Sequence, residues 1–574
     1  MGVRCNLQKV ARLGMVDRRM GGTVMLKYGT LLLCWSLLLL SLLFPFVLQA
    51  HNPRLDKPPK LILQLVLGSL GSETVDLHWE SLDPNGLPRL YSRGVVCHDA
   101  RYAYLLGNAP AGLTTLSTGA NPNRHGVVDY SWFSHVTYRP ERLCEDDFVH
   151  TIGSNQAVGI SYSPRKLLVS SLSDSWRQRY PNARLYSMAY DPADAILLGG
   201  RSLNAALWFE PKTGHWVTST YYADALPAWV QAFNEKKLAP SYNAATWTLP
   251  TQTAATSPYT RRPLSEKPDT ALRGELTIPA VGYSRLAYTP SGNSLLKDLI
   301  VAAVEYDGVG RGSTPDLLSV YFSPFERIAE IYGQESEQFR DALIRFDKEL
   351  ANLLEYLDYT VGRKEYLVVL TSAYAAAPSP WVLSQGGIPT GYFNPDKAQF
   401  MLSTYLSALY GIKDVVVGYA GQSFYLNESL LEKSHLPLQQ VEQTAAKFLQ
   451  DLAGVASVYP MHVAQWAGGA NPRLRRALEG FHPKRSGHLF VDLLPGWVVQ
   501  SDRSPKARNA HYSYENHIPL VFYGWKLASR KIASPVYLHD VTETLVRLLY
   551  IRPPNASEGN PVPGVANWDD LPVR

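Results

Sequence analysis

Five runs of the chain are built almost wholly from apolar residues: LILQLVLG from Leu61, ARLYSMAY from Ala183, DLLSVYFS from Asp316, YLVVLTS from Tyr366 and IPLVFYG from Ile518. A strand with one face in water alternates apolar and polar residues, so runs without that alternation call for parallel strands covered on both faces. Helical stretches lie between them. From Glu335 onward, Phe339, Leu343, Phe346, Leu350, Leu353 and Leu357 recur at steps of four and three, the stripe of a helix packed on a sheet, ending by Gly362. Weaker stripes run over Val441–Leu452 and Asp540–Tyr550, the latter stopped by Pro553-Pro554. Strands alternating with helices predict a doubly wound, mostly parallel α/β sheet flanked by helices and carrying loop insertions. Its sites are expected at the carboxyl ends of the strands. Leu249–Asn293, rich in Thr, Ser and Pro, reads as a loop-rich insertion, and the basic stretch Arg473–Arg485 as a solvated surface.

Thr30–Ala50 is an uncharged apolar run preceded by Arg4, Lys9, Arg12, Arg18, Arg19 and Lys27. A terminal, basic-flanked segment of this length reads as a targeting element: a signal peptide if translation starts at Met25, with Ala50 before a cut at His51, or a signal anchor if it starts at Met1. The expected organisation is therefore a targeting segment over 1–50 and an α/β domain over 51–574, periplasmic or otherwise extracytoplasmic. The chain's 55 Lys/Arg and 50 Asp/Glu include six basic and one acidic residue in the first fifty, so 49 of each sign remain beyond them. That balance leaves no basic footprint for nucleic acid. Of four cysteines, Cys5 and Cys34 fall in the targeting segment. Cys97 and Cys144 remain, without metal-type spacing, and in an oxidising compartment they are expected to pair as a disulfide.

The stretch from Ser163 to Asn234, together with TGANPNRHGVV, YENHIPLVFYG and LYIRPPNASEGN, resembles the bacterial alkaline phosphatases of the type I phosphodiesterase/nucleotide pyrophosphatase branch, from about Lys60 to Pro561. The resemblance implies a two-zinc clamp of carboxylate and imidazole ligands around a hydroxyl nucleophile. It also shows how little of that chemistry this chain supplies. At the end of the first strand, where the family places a carboxylate, stands Gly68. At the nucleophile, registering on Thr118-Gly119 gives Ala109 and registering on Pro110 gives Asn108. Thr114, Thr115 and Ser117 are nearby hydroxyls read as packing or capping groups. The Asp and His four residues apart become Glu326 and Glu330, and the Asp-His dipeptide becomes Ala373-Tyr374. Of the six implied ligands only His517 is retained. The two cations of the phosphate-binding motif become Asp191 and Ala193, a reversal of sign, and the assisting Asn becomes Tyr130. His125 reads as scaffold, and Asp316 and Asp540 as strand-end and helix-start hydrogen-bonding residues.

Three readings follow. The first is an exported pseudoenzyme that keeps the scaffold to bind an unidentified ligand or protein partner and needs no cofactor. The second is an active phosphoester hydrolase of altered metal site, with Glu326, Glu330 and His517 around zinc or another divalent cation activating water. The third is a structural envelope component with a vestigial cleft. A wet polar pocket favours the first of these, and a cleft filled by Tyr374 and Tyr130 the third.

Overall fold

The computed structural model describes residues 57–154, 161–249, 281–375, 378–464, 466, 471–500, 508–509 and 516–566. Thr30–Ala50, and residues 250–280 of the expected insertion, lie outside the described residues. Among the described residues no helix is long and apolar enough to cross a membrane.

Ten strands form the main sheet: β1 (Leu61–Leu67), β2 (Val95–Cys97), β3 (Thr151–Ile152), β4 (Leu185–Ala189), β5 (Ala205–Glu210), β6 (His215–Ser219), β7 (Asp316–Phe322), β8 (Tyr366–Ser372), β9 (Leu520–Gly524) and β10 (Arg530–Ile532), in the order β10-β2-β9-β8-β1-β7-β4-β5-β6-β3. The central five, β8-β1-β7-β4-β5, are parallel. Burial explains their sequences. Ile62 and Val66 of β1 enter one apolar core, while Leu61, Leu63, Leu65 and Leu67 enter another on the opposite face. Gln64, the polar exception in β1, accepts a hydrogen bond from Ser319 Oγ of β7 at 2.6 Å. Helices α1 (Ala109–Thr118) and α2 (Pro192–Gly199) supply Leu113, Leu116, Ile196 and Leu197 to the first core. Helix α3 (Pro324–Tyr332) and helix α4 (Glu337–Leu357) supply Phe325, Leu343 and Leu350 to the second.

The chain between β8 and β9 carries a smaller sheet of four strands, Val416–Ala420, Ser423–Leu426, Leu489–Leu493 and Val455–Pro460 in that spatial order. Helices α5 (Pro395–Tyr410) and α6 (Leu438–Gln450) close a third core against it through Leu402, Leu406, Val441 and Leu449. The last helix, α7 (Asp540–Leu549), packs Leu545 into the first core.

Several sequence expectations are corrected. The centre of the sheet is parallel as expected, but the run from Ile518, read with the parallel strands, forms β9 antiparallel to both β8 and β2, because two-sided burial gives the same apolar run in either direction. In the Leu249–Asn293 segment, Ser284–Tyr288 is a 3₁₀ turn and Pro290 opens a helix that runs to Tyr306. Helix α7 stops at Leu549, before the prolines, with Tyr550 in the left-handed region at φ 52°. The Arg473–Arg485 stretch is not simply solvated. Arg473 pairs with buried Asp492, and Arg485 is buried over the Trp132 ring, donating to the carbonyls of Gly126 and Lys166.

Cys97 and Cys144 do not form the expected disulfide; both are free and buried. Cys97 ends β2 within the electrostatic reach of Asp540, whereas Cys144 lies within that of Asp194 on α2, which packs on β4, β5 and β7. Both thiols lie in the first core but among different elements, Cys97 at the end of β2 and Cys144 beside α2, and they are not joined. Burial raises both thiols, that of Cys97 to about 12.

Candidate active site

The register of the parallel core brings the altered positions together. Leu67 of β1 pairs with Phe322 of β7 and with Ser372 of β8, so Gly68, Ser323 and Ala373 leave the sheet at one level. Val320 pairs with Met188, which carries the end of β4, and Asp191 just beyond it, to the same rim. Gly68 donates its N–H to Phe322 O at 3.1 Å. A Cβ added to Gly68 would stand 2.9 Å from both the N and the Cβ of Glu326 and 3.0 Å from Phe322 O. Helix α3 has taken the space that a carboxylate side chain here would need.

Glu326, half-buried in the first turn of α3, is held from two sides. Tyr321 Oη donates to its Oε2 at 2.7 Å and Tyr374 Oη to its Oε1 at 2.6 Å. One carboxylate therefore ties the end of β7, the start of α3 and the loop after β8. Ser372 Oγ, which donates within that loop to Leu67 O and Tyr374 O, fixes the same turn to β1. Glu330 lies one helical turn beyond Glu326 and is also half-buried.

On the β4 side, Asp191 forms an ion pair with Arg327, whose guanidinium lies 5.1 Å from the centre of the Tyr288 ring. Burial opposes the Arg327 charge, but Asp191 more than offsets it and raises its pKa. Tyr130 Oη donates to Asp194 Oδ1 at 2.6 Å. Burial, followed by the Asp191 and Glu326 carboxylates, holds the Asp194 pKa well above the usual carboxylate range; burial together with Asp194 does the same to the Tyr130 phenol. Ala193 adds no charge. Of the described residues at this position, Arg327 carries the cation, and it is already neutralised by Asp191.

The opening turn of α1 completes the wall. Asn108 is its N-cap, accepting from Ala111 N at 2.9 Å and donating to Val128 O, and Ala109 follows as the first helical residue, fully buried. Gly112 lets α1 approach the end of β8, since a Cβ there would come within 2.0 Å of Ala373 O. The other hydroxyls of α1 are engaged in packing: Thr114 with Pro110 O, Thr115 with His125 and Tyr104, and Ser117 with Leu197 O. His125 is buried scaffold, its pKa depressed to about 3 chiefly by burial. Asp316 accepts from Arg184 N and Gly310 N, the strand-end role expected of it, whereas Asp540 opens α7 without capping it and instead accepts from Tyr537 N and Asn560 N, anchoring the neighbouring loops.

His517 sits to one side, where Ser72 N donates to its carbonyl. Its Nε2 donates to His98 O at 2.6 Å and its Nδ1 faces Glu73 Oε1 at 3.0 Å; the Glu73 hydrogen bond raises its pKa. The retained imidazole is thus paired with a carboxylate of its own. Taken together, the residues do not fit a two-zinc clamp: Gly68 has neither a ligand nor room for one, Ala373 has none, and Tyr374 spends its hydroxyl on Glu326.

Sequence reasoning missed Tyr321, Arg327, Asp194 and Glu73. Tyr321 and Arg327 flank Glu326 in the motif YFSPFERIAEIYG, and Asp194 follows Asp191 by three residues, so the signal was present as polar and aromatic neighbours of replaced positions. A second cluster lies away from this cleft: Glu428 Oε1 is 3.1 Å from His135 Nδ1 and 3.0 Å from His488 Nε2. It is spaced like a metal site, but His488 Nδ1 accepts from Leu426 N and so leaves the proton on Nε2. That nitrogen donates to Glu428 and has no lone pair for a cation.

An α/β sheet that gathers these positions at the carboxyl ends of its central strands can now be compared with known proteins. Residues 75–518 match the family model described as type I phosphodiesterase / nucleotide pyrophosphatase. The chain belongs to that family, within the alkaline phosphatase superfamily. It is 29% identical to a Myroides odoratus protein named calcium-transporting ATPase, over 90% of this chain and 96% of that one. It is 26% identical to alkaline phosphatase PhoV of Synechococcus elongatus (88% and 93%) and 25% identical to alkaline phosphatase PafA of Elizabethkingia meningoseptica (90% and 96%). The crystal structure of wild-type alkaline phosphatase PafA superposes with a TM-score of 0.81 at 25% identity, covering 89% of this chain and 99% of that one.

Proposed function

We propose that the protein is an exported pseudoenzyme of this superfamily, which keeps the phosphatase scaffold for binding or partner interaction and does not turn over phosphate esters. The observation that carries the reading is the Glu326 carboxylate, bonded to Tyr321 and Tyr374 instead of presented to a cation or substrate. Gly68 and the Asp191–Arg327 pair support it from either side: one position has no room for a ligand, and the other turns a carboxylate toward the place where phosphate needs positive charge. Tyr374 and Tyr130 spend their hydroxyls on Glu326 and Asp194, so the binding role proposed here is assigned to the outer surfaces of the molecule. Export rests on the apolar, basic-flanked N-terminus.

The altered hydrolase would require Glu326 to release two phenols and His517 to leave Glu73 before both could share a cation with Glu330. Metal analysis of the purified protein, run beside assays on phosphate mono- and diesters, tests the proposal. The expected result is no stoichiometric zinc and no turnover above background. Stoichiometric zinc with turnover that Glu326→Ala or His517→Ala abolishes would overturn it in favour of the altered hydrolase.

A further inference from the structure

Helix α5 is apolar on both sides. Ala398, Leu402 and Leu406 face the third core, whereas the outward side exposes Phe400 (73%), Met401 (41%), Tyr405 (38%) and Leu409 (53%). Between exposed Lys397 and Lys413 there is no charged residue, so the stripe is neutral along its centre and carries a lysine at each end. Its neighbour α6 continues the pattern: Phe448 stacks on Tyr405 with ring centres 4.5 Å apart, and the exposed positions Gln439, Gln440 and Gln443 are neutral, leaving Lys447 as the charge on that side. An ordinary protein surface mixes charges of both signs throughout, and a contiguous apolar, charge-depleted patch rich in Phe, Tyr, Met and Leu is the composition of an interface centre.

We infer that the outward face of α5 and α6 is a contact surface for a second copy of this chain, the two α5 helices packing across a two-fold axis near Tyr405. Area sets the strength of the contact. A 16-residue helix is about 24 Å long, and with its neighbour the face is about 20 Å wide. This footprint is about 480 Å² per copy, the size of a small, weak dimer contact and not of the ~800 Å² per partner that a standard dimer buries. A two-fold contact needs a self-complementary patch, and a neutral apolar stripe is one, whereas a charged stripe would meet its own sign. The equal numbers of acidic and basic residues beyond the first fifty give two copies no net repulsion. A lipid surface fits less well, since helices that lie on membranes carry a strongly basic polar face and the second face of α5 is instead buried in protein.

Sedimentation of the full chain in mild detergent, compared with Phe400→Lys/Leu409→Lys, tests the inference. The expected result is a dimer at micromolar concentration whose dissociation constant rises about tenfold or more in the double variant, with unchanged circular dichroism because both side chains are exposed. Thr404→Cys, in the middle of the stripe, should cross-link to a second copy under mild oxidation. A monomer throughout, or a dimer indifferent to the double variant, would overturn the inference. So would binding of the wild type to phosphatidylcholine/phosphatidylglycerol vesicles, lost in the double variant, without a dimer. None of these outcomes depends on whether the cleft turns over phosphate esters.

Discussion

At the scale of single residues, the altered cleft is an alternative hydrogen-bonded arrangement more than a set of deletions. Removing the Glu326 carboxylate leaves the Tyr321 hydroxyl buried without its acceptor, so Glu326→Ala should destabilise by about 1–3 kcal/mol, read from denaturant unfolding. Tyr374→Phe removes one donor from a carboxylate that keeps the other and should cost about 1 kcal/mol. Putting a carboxylate back at the first strand's end should not restore a ligand. Gly68→Asp must push α3 away from 2.9 Å contacts, costing about 1–3 kcal/mol, and added zinc should leave its unfolding midpoint unchanged. A zinc-dependent rise in that midpoint would show that the space was available after all.

At the scale of elements, helix α1 depends on Asn108 and Gly112 and on the buried histidine behind it. Gly112→Ala would place a methyl 2.0 Å from Ala373 O, and its expected effect is loss of more than ~3 kcal/mol or of folding. Asn108→Ala should cost only about 1 kcal/mol. His125 carries a pH signature: burial depresses its pKa from 6.5 to about 3. The unfolded chain therefore takes up a proton below pH 6.5 that the folded chain refuses, and stability present above 6.5 falls as the pH drops toward 3. This one group contributes a slope of up to ~1.4 kcal/mol per pH unit. His125→Gln should flatten the unfolding-versus-pH curve in that window; an unchanged slope would mean that His78 and His482, shifted the same way, carry it. The five sheet strands and α4 were legible in the sequence because two-sided burial and a 3.6-residue stripe leave direct marks. The direction of β9 was not, since antiparallel and parallel strands buried on both faces look alike. Nor was Arg485, whose partners are backbone carbonyls and a tryptophan remote in sequence.

At the scale of the whole molecule, the motifs around the cleft located Gly68, Asp191, Glu326, Ala373 and Tyr374 because the scaffold flanking each position kept the family's wording. The partners that hold these side chains were not legible, because Tyr321, Arg327 and Asp194 act only once strands far apart in sequence share a rim. The cysteine pairing failed for a related reason: counting residues in an oxidising compartment says nothing about which elements of the core surround each thiol. Cys97 and Cys144 should accordingly resist thiol reagents in the native state, and a reductant should leave the melting temperature unchanged. A drop on reduction would mean that they are joined. The central claim, that this cleft no longer performs phosphoester chemistry, is tested most directly by hydrolysis of phosphate mono- and diesters by the purified protein with zinc supplied. The expected rate is no higher than that of the protein-free blank. A rate above it that disappears in Glu326→Ala or His517→Ala would show that the cleft is an active hydrolase.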